Sequence, residues 1–332
     1  MDPNLVLDRI LLHIPEHDIP VPRHLSEAAR AFLATAGMAP RAKYPPAADK
    51  AAWRQAKAAW DERMLPMLEQ ALGDLPVPVT THQIGACAVY EATPDHIADG
   101  MRDCIYIDIH GGALVFGAGK FAEVLTRLMA SFLHCRVLGV DYRVPPEHPY
   151  PAALEDCLSV YRHALQTYDA SHIVVGGVSA GGNLAAATIL RARDEGLPLP
   201  AAAVLLTPEV DLTESGDTFF THRDVDVALP GPLPETCQLY ANGADLTDPY
   251  VSPLFADFTK GFPPTFLQSG TRDIYLSNTV RMHRALQQAG QKAELHVWEA
   301  MPHAGFGATS PEDGEMHAAI RDFLRREAGW AP

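Results

Sequence analysis

The chain has 332 residues, 47% of them hydrophobic, enough for a large core in one main α/β domain with an accessory part. Against 26 basic residues stand 41 acidic ones, and the net charge of −15 argues against a nucleic-acid backbone or an anionic membrane as partner. Five cysteines, with Cys104 and Cys135 inside apolar runs, read as buried thiols; together with Asp2 and Asp8 near the start and no apolar run approaching ~18 residues, they lead us to expect a soluble, cytoplasmic protein.

The first 80 residues carry prolines at positions 3, 15, 20, 22, 40, 45, 46, 66, 76 and 78, helical patterns and no convincing strand, and read as an appendage to the main sheet. From Ala51 to Leu72, the residues Trp53, Trp60, Met64, Met67 and Leu68 recur at near-helical spacing and form one apolar stripe. Pro66 is expected to kink or break that helix. The stripe packs on the body in the plainer reading; in a sharper one, part of it roofs a pocket.

After Pro78 short β-rich runs alternate with longer helical stretches. Strands are predicted at 86–91, 104–109, 135–141, 172–178, 202–207, 265–269 and 294–299, and helices near 120–134, 152–168, 181–194, 275–289 and 314–327. This alternation predicts a mostly parallel sheet covered on both faces, with ligands at the carboxyl ends of its strands. Residues 213–262 break the pattern, and the Pro- and Gly-bearing string from Ala228 to Thr236 can continue neither a regular helix nor a central strand, so the region reads as an insertion.

The most informative string is Gly177-Val178-Ser179-Ala180-Gly181-Gly182, between the strand HIVVGG and the helix NLAAATIL. A serine on a sharp strand-to-helix turn needs small neighbours, and the helix start favours negative charge developing beside it. A phosphate-binding turn is disfavoured, because no P-loop lysine accompanies the glycines. A serine hydroxyl is a weak nucleophile that requires a base and a group to orient it. Asp273 follows the strand TFLQSG and His303 follows ELHVWE, which puts Ser179, Asp273 and His303 in chain order after three separate strands. Asp211, Asp245 and Asp248 compete with Asp273 for the acid's role. His110-Gly111-Gly112-Ala113 follows CIYIDI, so the N–H groups of Gly111 and Gly112, with that of Ala180, are candidates for an oxyanion hole. His110 itself reads as a loop-shaping residue.

The strings IDIHGGALVFG, DYRVPPEHPYPAALED, GVSAGGNLA, DPYVSPLFAD, QSGTRDIYLSN and MPHAGF resemble the hormone-sensitive-lipase-like family of α/β-hydrolases, from about Ile105 to the C-terminus. The resemblance implies an α/β-hydrolase fold, a mostly parallel central sheet flanked by helices, with a helical cap built from residues 1–80 and from 213–262 within a catalytic domain of 81–332. It also implies the triad Ser179, Asp273 and His303 and the oxyanion donors Gly111, Gly112 and Ala180. The implied activity is that of a serine carboxylesterase acting on neutral, hydrophobic short-to-medium acyl esters. A lactonase or amidase would use the same residues. A non-catalytic receptor on this fold, as in the gibberellin receptors, is disfavoured by the presence of His303. No metal or organic cofactor is expected, and no nucleic-acid or membrane partner; a homodimer through the last strand is.

Three positions depart from the family pattern: Ala113 stands where a third glycine is usual, Val178 where the residue before the nucleophile is usually Asp, and Ala304 separates the histidine from its following glycine. Asp141, Arg143 and Glu147 are expected to form an ion-pair and hydrogen-bond network around a proline-rich loop. Glu209 reads as solvated or hydrogen-bonded, near the pocket at most. No Cys, His or Asp cluster has zinc-like spacing.

Overall fold

The computed structural model describes residues 15, 16, 18–36, 43–73, 75–97 and 101–330; Asp2 and Asp8 and the prolines at 3 and 40 lie outside them. Among the described residues, eight strands form one sheet: β1 (Val79–Ile84), β2 (Cys87–Ala92), β3 (Ile105–Ile109), β4 (Arg136–Asp141), β5 (Ile173–Val178), β6 (Ala202–Leu206), β7 (Thr265–Gly270) and β8 (Ala293–Trp298). Their order is β1-β2-β4-β3-β5-β6-β7-β8, antiparallel for the first two pairings and parallel from β4 onward.

Strands covered on both faces must be apolar at consecutive positions, and the AAVLL of β6 is buried throughout. Alternate residues divide between two cores. Ile105, Ile107 and Ile109 face the helices α4 (Ala152–Ala164), α5 (Ala180–Asp194) and α8 (Leu276–Gln288). Tyr106, Val174, Val204 and Phe266 face α3 (Lys120–Leu133) and α9 (Pro311–Glu327). Parallel register brings the ends of the central strands level: Ile109 pairs with Gly177, Val178 with Leu206, and Gly270 with Trp298. The predicted candidate residues follow these ends directly.

The N-terminal part packs beside the same edge. Helix α1 (Glu27–Ala36) and the turn before it place Leu25, Ala29 and Leu33 against Ala300, Met301 and Phe306, and the helix start is tied to α9 by Ser26 N–H and Oγ donating to Glu312, both at 2.7 Å. Helix α2 (Lys50–Leu72) lays its stripe on the loop after β3: Trp53 is fully buried near Phe116, with ring centroids 6.2 Å apart, and Trp60 stacks on Phe116 at 5.3 Å. Met67, at the far end of the stripe, is 57% exposed.

Three expectations need correction. Pro66 does not break helix α2, which continues through it as one 23-residue element; Glu62, whose carbonyl loses its helical donor, is exposed, so water can take that bond. The strand β1 leaves no signal in the sequence, because VTTHQI, an outer strand with a mostly solvent-facing pattern, has no apolar alternation. Asp141, Arg143 and Glu147 form three separate anchors instead of one network. Asp141 accepts from Tyr90 Oη at 3.0 Å and Gly119 N–H at 2.8 Å, and Arg143 forks onto buried Asp156. Glu147 instead meets Arg54 of α2 at 2.7 Å. Arginine finds the carboxylate that can take two of its parallel N–H bonds, and Asp156 sits one element further on.

The irregular 213–262 stretch holds a single-turn α6 (Thr218–Thr221) and α7 (Pro234–Ala241), the latter opening on a proline at its first position, where no N–H is required.

Candidate active site

Ser179 sits between the last residue of β5 and the first of α5 with φ +58° and ψ −122°. For a residue with a side chain such a backbone stores ~1–3 kcal/mol and survives only where neighbours hold it. Its N–H donates to Leu206 O at 2.9 Å, and its carbonyl accepts from Asn183 N–H at 3.2 Å and Glu209 N–H at 3.1 Å. A Cβ on Gly181 would lie 1.8 Å from Ile109 O, and one on Gly177 2.5 Å from the same atom, so the turn closes only with glycine at both positions.

The loop after β3 lies alongside. A Cβ on Gly111 would sit 3.1 Å from Val178 O and 3.4 Å from Ser179 Cβ, which puts that stretch of main chain against the serine. Gly112 has φ +129°, and the turn closes with Val115 and Phe116 N–H donating to Gly112 O at 3.0 and 2.8 Å. Ala113 and Leu114 follow at φ +51° and +61°. The His110 ring stacks on Tyr142, with centroids 4.1 Å apart, and its Nδ1–H donates to Gly111 O at 2.7 Å. Burial lowers the pKa of this ring, which fits a loop-shaping histidine.

Asp273 and His303 come together from the turns after β7 and β8. His303 Nδ1 lies 3.1 Å from Asp273 Oδ1, which also accepts Tyr275 N–H at 3.0 Å; Asp273 Oδ2 accepts Ser269 Oγ–H at 2.6 Å. The carboxylate fixes the proton on Nδ1 and leaves Nε2 as the basic nitrogen. Burial by itself would lower the His303 pKa, but the bond to and charge of Asp273, with the charges of Asp226 and Glu209, raise it overall. The histidine loop is pinned by Asp313, which accepts Phe306 N–H at 2.9 Å within the Ser310 capping box of α9.

Residues 106–307 match the family described as alpha/beta hydrolase fold. The chain belongs to this α/β-hydrolase family. It is 32% identical over 268 residues to an acetyl-hydrolase of Streptomyces hygroscopicus, covering 79% of this chain and 87% of that one. The crystal structure of an esterase E25 superposes with a TM-score of 0.87 at 34% identity, over 96% of this chain and 99% of that one. An esterase from the bacterial hormone-sensitive lipase family does so at 0.77 and 30%, over 92% and 99%. These relations place the protein in the hormone-sensitive-lipase-like branch, among carboxylic-ester hydrolases.

The competing carboxylates of this hydrolase are committed elsewhere. Asp211 is buried against Arg281 at 2.6 Å and accepts from Thr213 and Ser215; Asp245 and Asp248 each cap a turn, at Thr247 and Tyr250. Glu209 is not solvated. Its carboxyl is 1% exposed, and its main chain is bonded to Ser179. Burial pushes its pKa up to about 7, offset in part by Tyr275, His303 and Cys237. The Tyr275 hydroxyl lies against this carboxylate without closing a hydrogen bond of regular geometry, while its ring packs edge-on to His303 at 4.9 Å.

Sequence reasoning missed Asp226. It lies in the irregular 213–262 stretch with no motif around it, and only folding brings it to the pair. Asp226, Asp273 and His303 offer ligand atoms within 4.8 Å of one another. Their oxygens are already occupied: those of Asp226 by main-chain N–H groups, those of Asp273 by Ser269, Tyr275 and His303. That donor set suits an acid–base pair with a supporting carboxylate, not a cation cage.

Among the described residues no helix is long and apolar enough to cross a membrane.

Proposed function

We propose that this hydrolase cleaves neutral, hydrophobic short-to-medium acyl esters through an acyl-enzyme. The observation that carries the reading is the buried Nδ1–Asp273 pairing of His303, at the strand-end edge that also holds Ser179 in its constrained turn. In this reading His303 Nε2 takes the Ser179 proton as the hydroxyl attacks the carbonyl carbon, and Asp273 stabilises the imidazolium. The N–H groups of Gly111, Gly112 and Ala180 receive the negative charge on the carbonyl oxygen. His303 then returns its proton to the departing alkoxide, and water activated by the same nitrogen releases the acid. The partly buried rings of Tyr44 and Trp60, packed on buried Phe116 next to the oxyanion loop, support an apolar substrate.

On the same footing, α1 and α2 with residues 213–262 serve as a cap. A homodimer through β8 is supported by its position at the sheet end, where Val297 is 42% exposed; sedimentation tests it. A reducing, cytoplasmic setting is supported by five cysteines that are all buried thiols.

The test is a series of p-nitrophenyl esters of increasing chain length, with matched amides and lactones, on the parent enzyme and Ser179→Ala. The variant is expected to lose at least ~10³-fold in kcat. Full activity in Ser179→Ala, or a phosphonate label on another residue, refutes the assignment.

A further inference from the structure

The carboxylate of Asp226 gathers four main-chain donors from three stretches of chain. Oδ1 accepts Ala228 and Leu229 N–H, both at 3.0 Å, within its own loop. Oδ2 accepts Ile274 N–H at 2.9 Å and His303 N–H at 3.2 Å, across 48 and 77 residues of sequence. Ile274 is the neighbour of Asp273 in the chain, and the second of these donors is the amide of the base itself. The acid and the base are thereby held by one side chain that belongs to neither of their loops, and that is fully buried.

We propose that Asp226 is a positioning residue for hydrolysis: its carboxylate sets the spacing of the two loops that present Asp273 and His303, and ties that spacing to the seating of the 213–262 segment over the site. The proposal rests on the reading of Ser179, Asp273 and His303 as the triad.

Two features separate this role from that of an ordinary loop anchor. An uncharged cap would satisfy Ala228 and Leu229 as well, but Asp226 places a second carboxylate beside Asp273 in a buried site, where like charges repel. Burial and Asp273 hold its pKa up at about 6, against the favourable influence of His303 and the main-chain donors. A cost of this kind is recovered when His303 becomes an imidazolium during turnover, because both carboxylates then face a cation. The charged and titratable groups around the pair are Asp226, Asp273 and Glu209, with His222, whose Nδ1 meets Asp273 O at 2.9 Å, and Tyr275, whose ring faces His303. Of these, Asp226 is the one that lies outside both loops and is bonded to both.

Asp226→Asn keeps the size of the side chain and one acceptor oxygen, but turns an amide N–H₂ toward main-chain donors. With p-nitrophenyl butyrate as probe, kcat is expected to fall ~10–100-fold with KM within about threefold, as for a small misplacement of reacting groups. The acid limb of kcat/KM is expected to move to lower pH by about half a unit or more, because an anion that favours protonated His303 has been removed. A kcat within about twofold of the parent overturns the proposal, and so does a loss of activity with an unmoved acid limb, which a purely architectural role would give.

The unmodified enzyme supplies a second measurement that does not depend on the variant folding. In NMR titrations the amides of Ala228, Leu229, Ile274 and His303 should share one inflection, and the His303 ring should respond at the same pH. A ring that titrates without that inflection overturns the proposal. Ser179→Ala and His303→Ala run beside these: if either retains activity the triad reading fails and Asp226 loses its role with it, whereas inactive controls beside an unaffected Asp226→Asn reject Asp226 alone.

Discussion

Glu209→Gln should stabilise this enzyme at alkaline pH and do nothing for it in acid. The carboxyl is 1% exposed; Oε1 accepts from Cys237 Sγ at 3.7 Å, and Oε2 has no hydrogen-bond partner. Folding therefore favours its protonated form, raising the pKa from the ordinary 4.5 to about 7. A group displaced upward contributes its full stability below 4.5 and loses it as pH rises through 7. At ~1.36 kcal/mol per pH unit, the parent protein forfeits about 3 kcal/mol between those limits. Glutamine keeps the shape and the acceptor for Cys237 but carries no charge, so that loss disappears. For a chain of this length, at ~2.1 cal/mol/K per residue, the gain corresponds to roughly 4 °C in Tm. The assay is thermal melting of parent and variant at pH 4.5 and pH 8 in matched ionic strength. Superimposable melts are expected in acid, and a higher Tm for the variant at pH 8. A difference in Tm that is independent of pH, or a variant that melts lower at pH 8, refutes it.

Two further outcomes follow from the site. In the parent enzyme kcat/KM should rise with pH through an inflection above the ordinary imidazole value of 6.5, because the raised His303 pKa keeps the base protonated, and so inactive, to higher pH; a stopped buffer series with p-nitrophenyl butyrate checks this, and an inflection at or below 6.5 contradicts it. Ala113→Gly should leave stability unchanged or raise it by up to ~1 kcal/mol, since relief of the left-handed backbone at φ +51° (~1–2 kcal/mol) exceeds the added chain entropy of glycine (~0.5–1 kcal/mol); urea denaturation measures it, and a loss larger than ~1 kcal/mol refutes the strain argument.

The unusual expense of this site lies in its buried acids. Glu209 and Asp226 both hold raised pKa values beside a histidine that benefits from negative charge. On the proposed mechanism, stability is given up where the imidazolium forms, the usual trade between a stable core and a reactive site.

The sequence by itself determined the alternation of strands and helices, the turn that carries Ser179 and the chain order of Ser179, Asp273 and His303. Those features are local: short runs of consecutive apolar residues, glycines that a tight turn demands, and loops at strand ends are each written in a few adjacent residues. Features whose cause is not local leave no such signal in the sequence. The polar outer strand β1 shows no alternation because water covers most of its residues, and Pro66 is tolerated because the orphaned carbonyl beside it is solvated. Arg143 took Asp156 and not the acids next to it in sequence, since a buried carboxylate in fork geometry outcompetes a near neighbour. Asp226 and the burial of Glu209 were decided by tertiary structure alone: a carboxylate becomes a clamp or a raised acid only through the donors and the dielectric that distant segments bring to it, and no spacing in the chain records them.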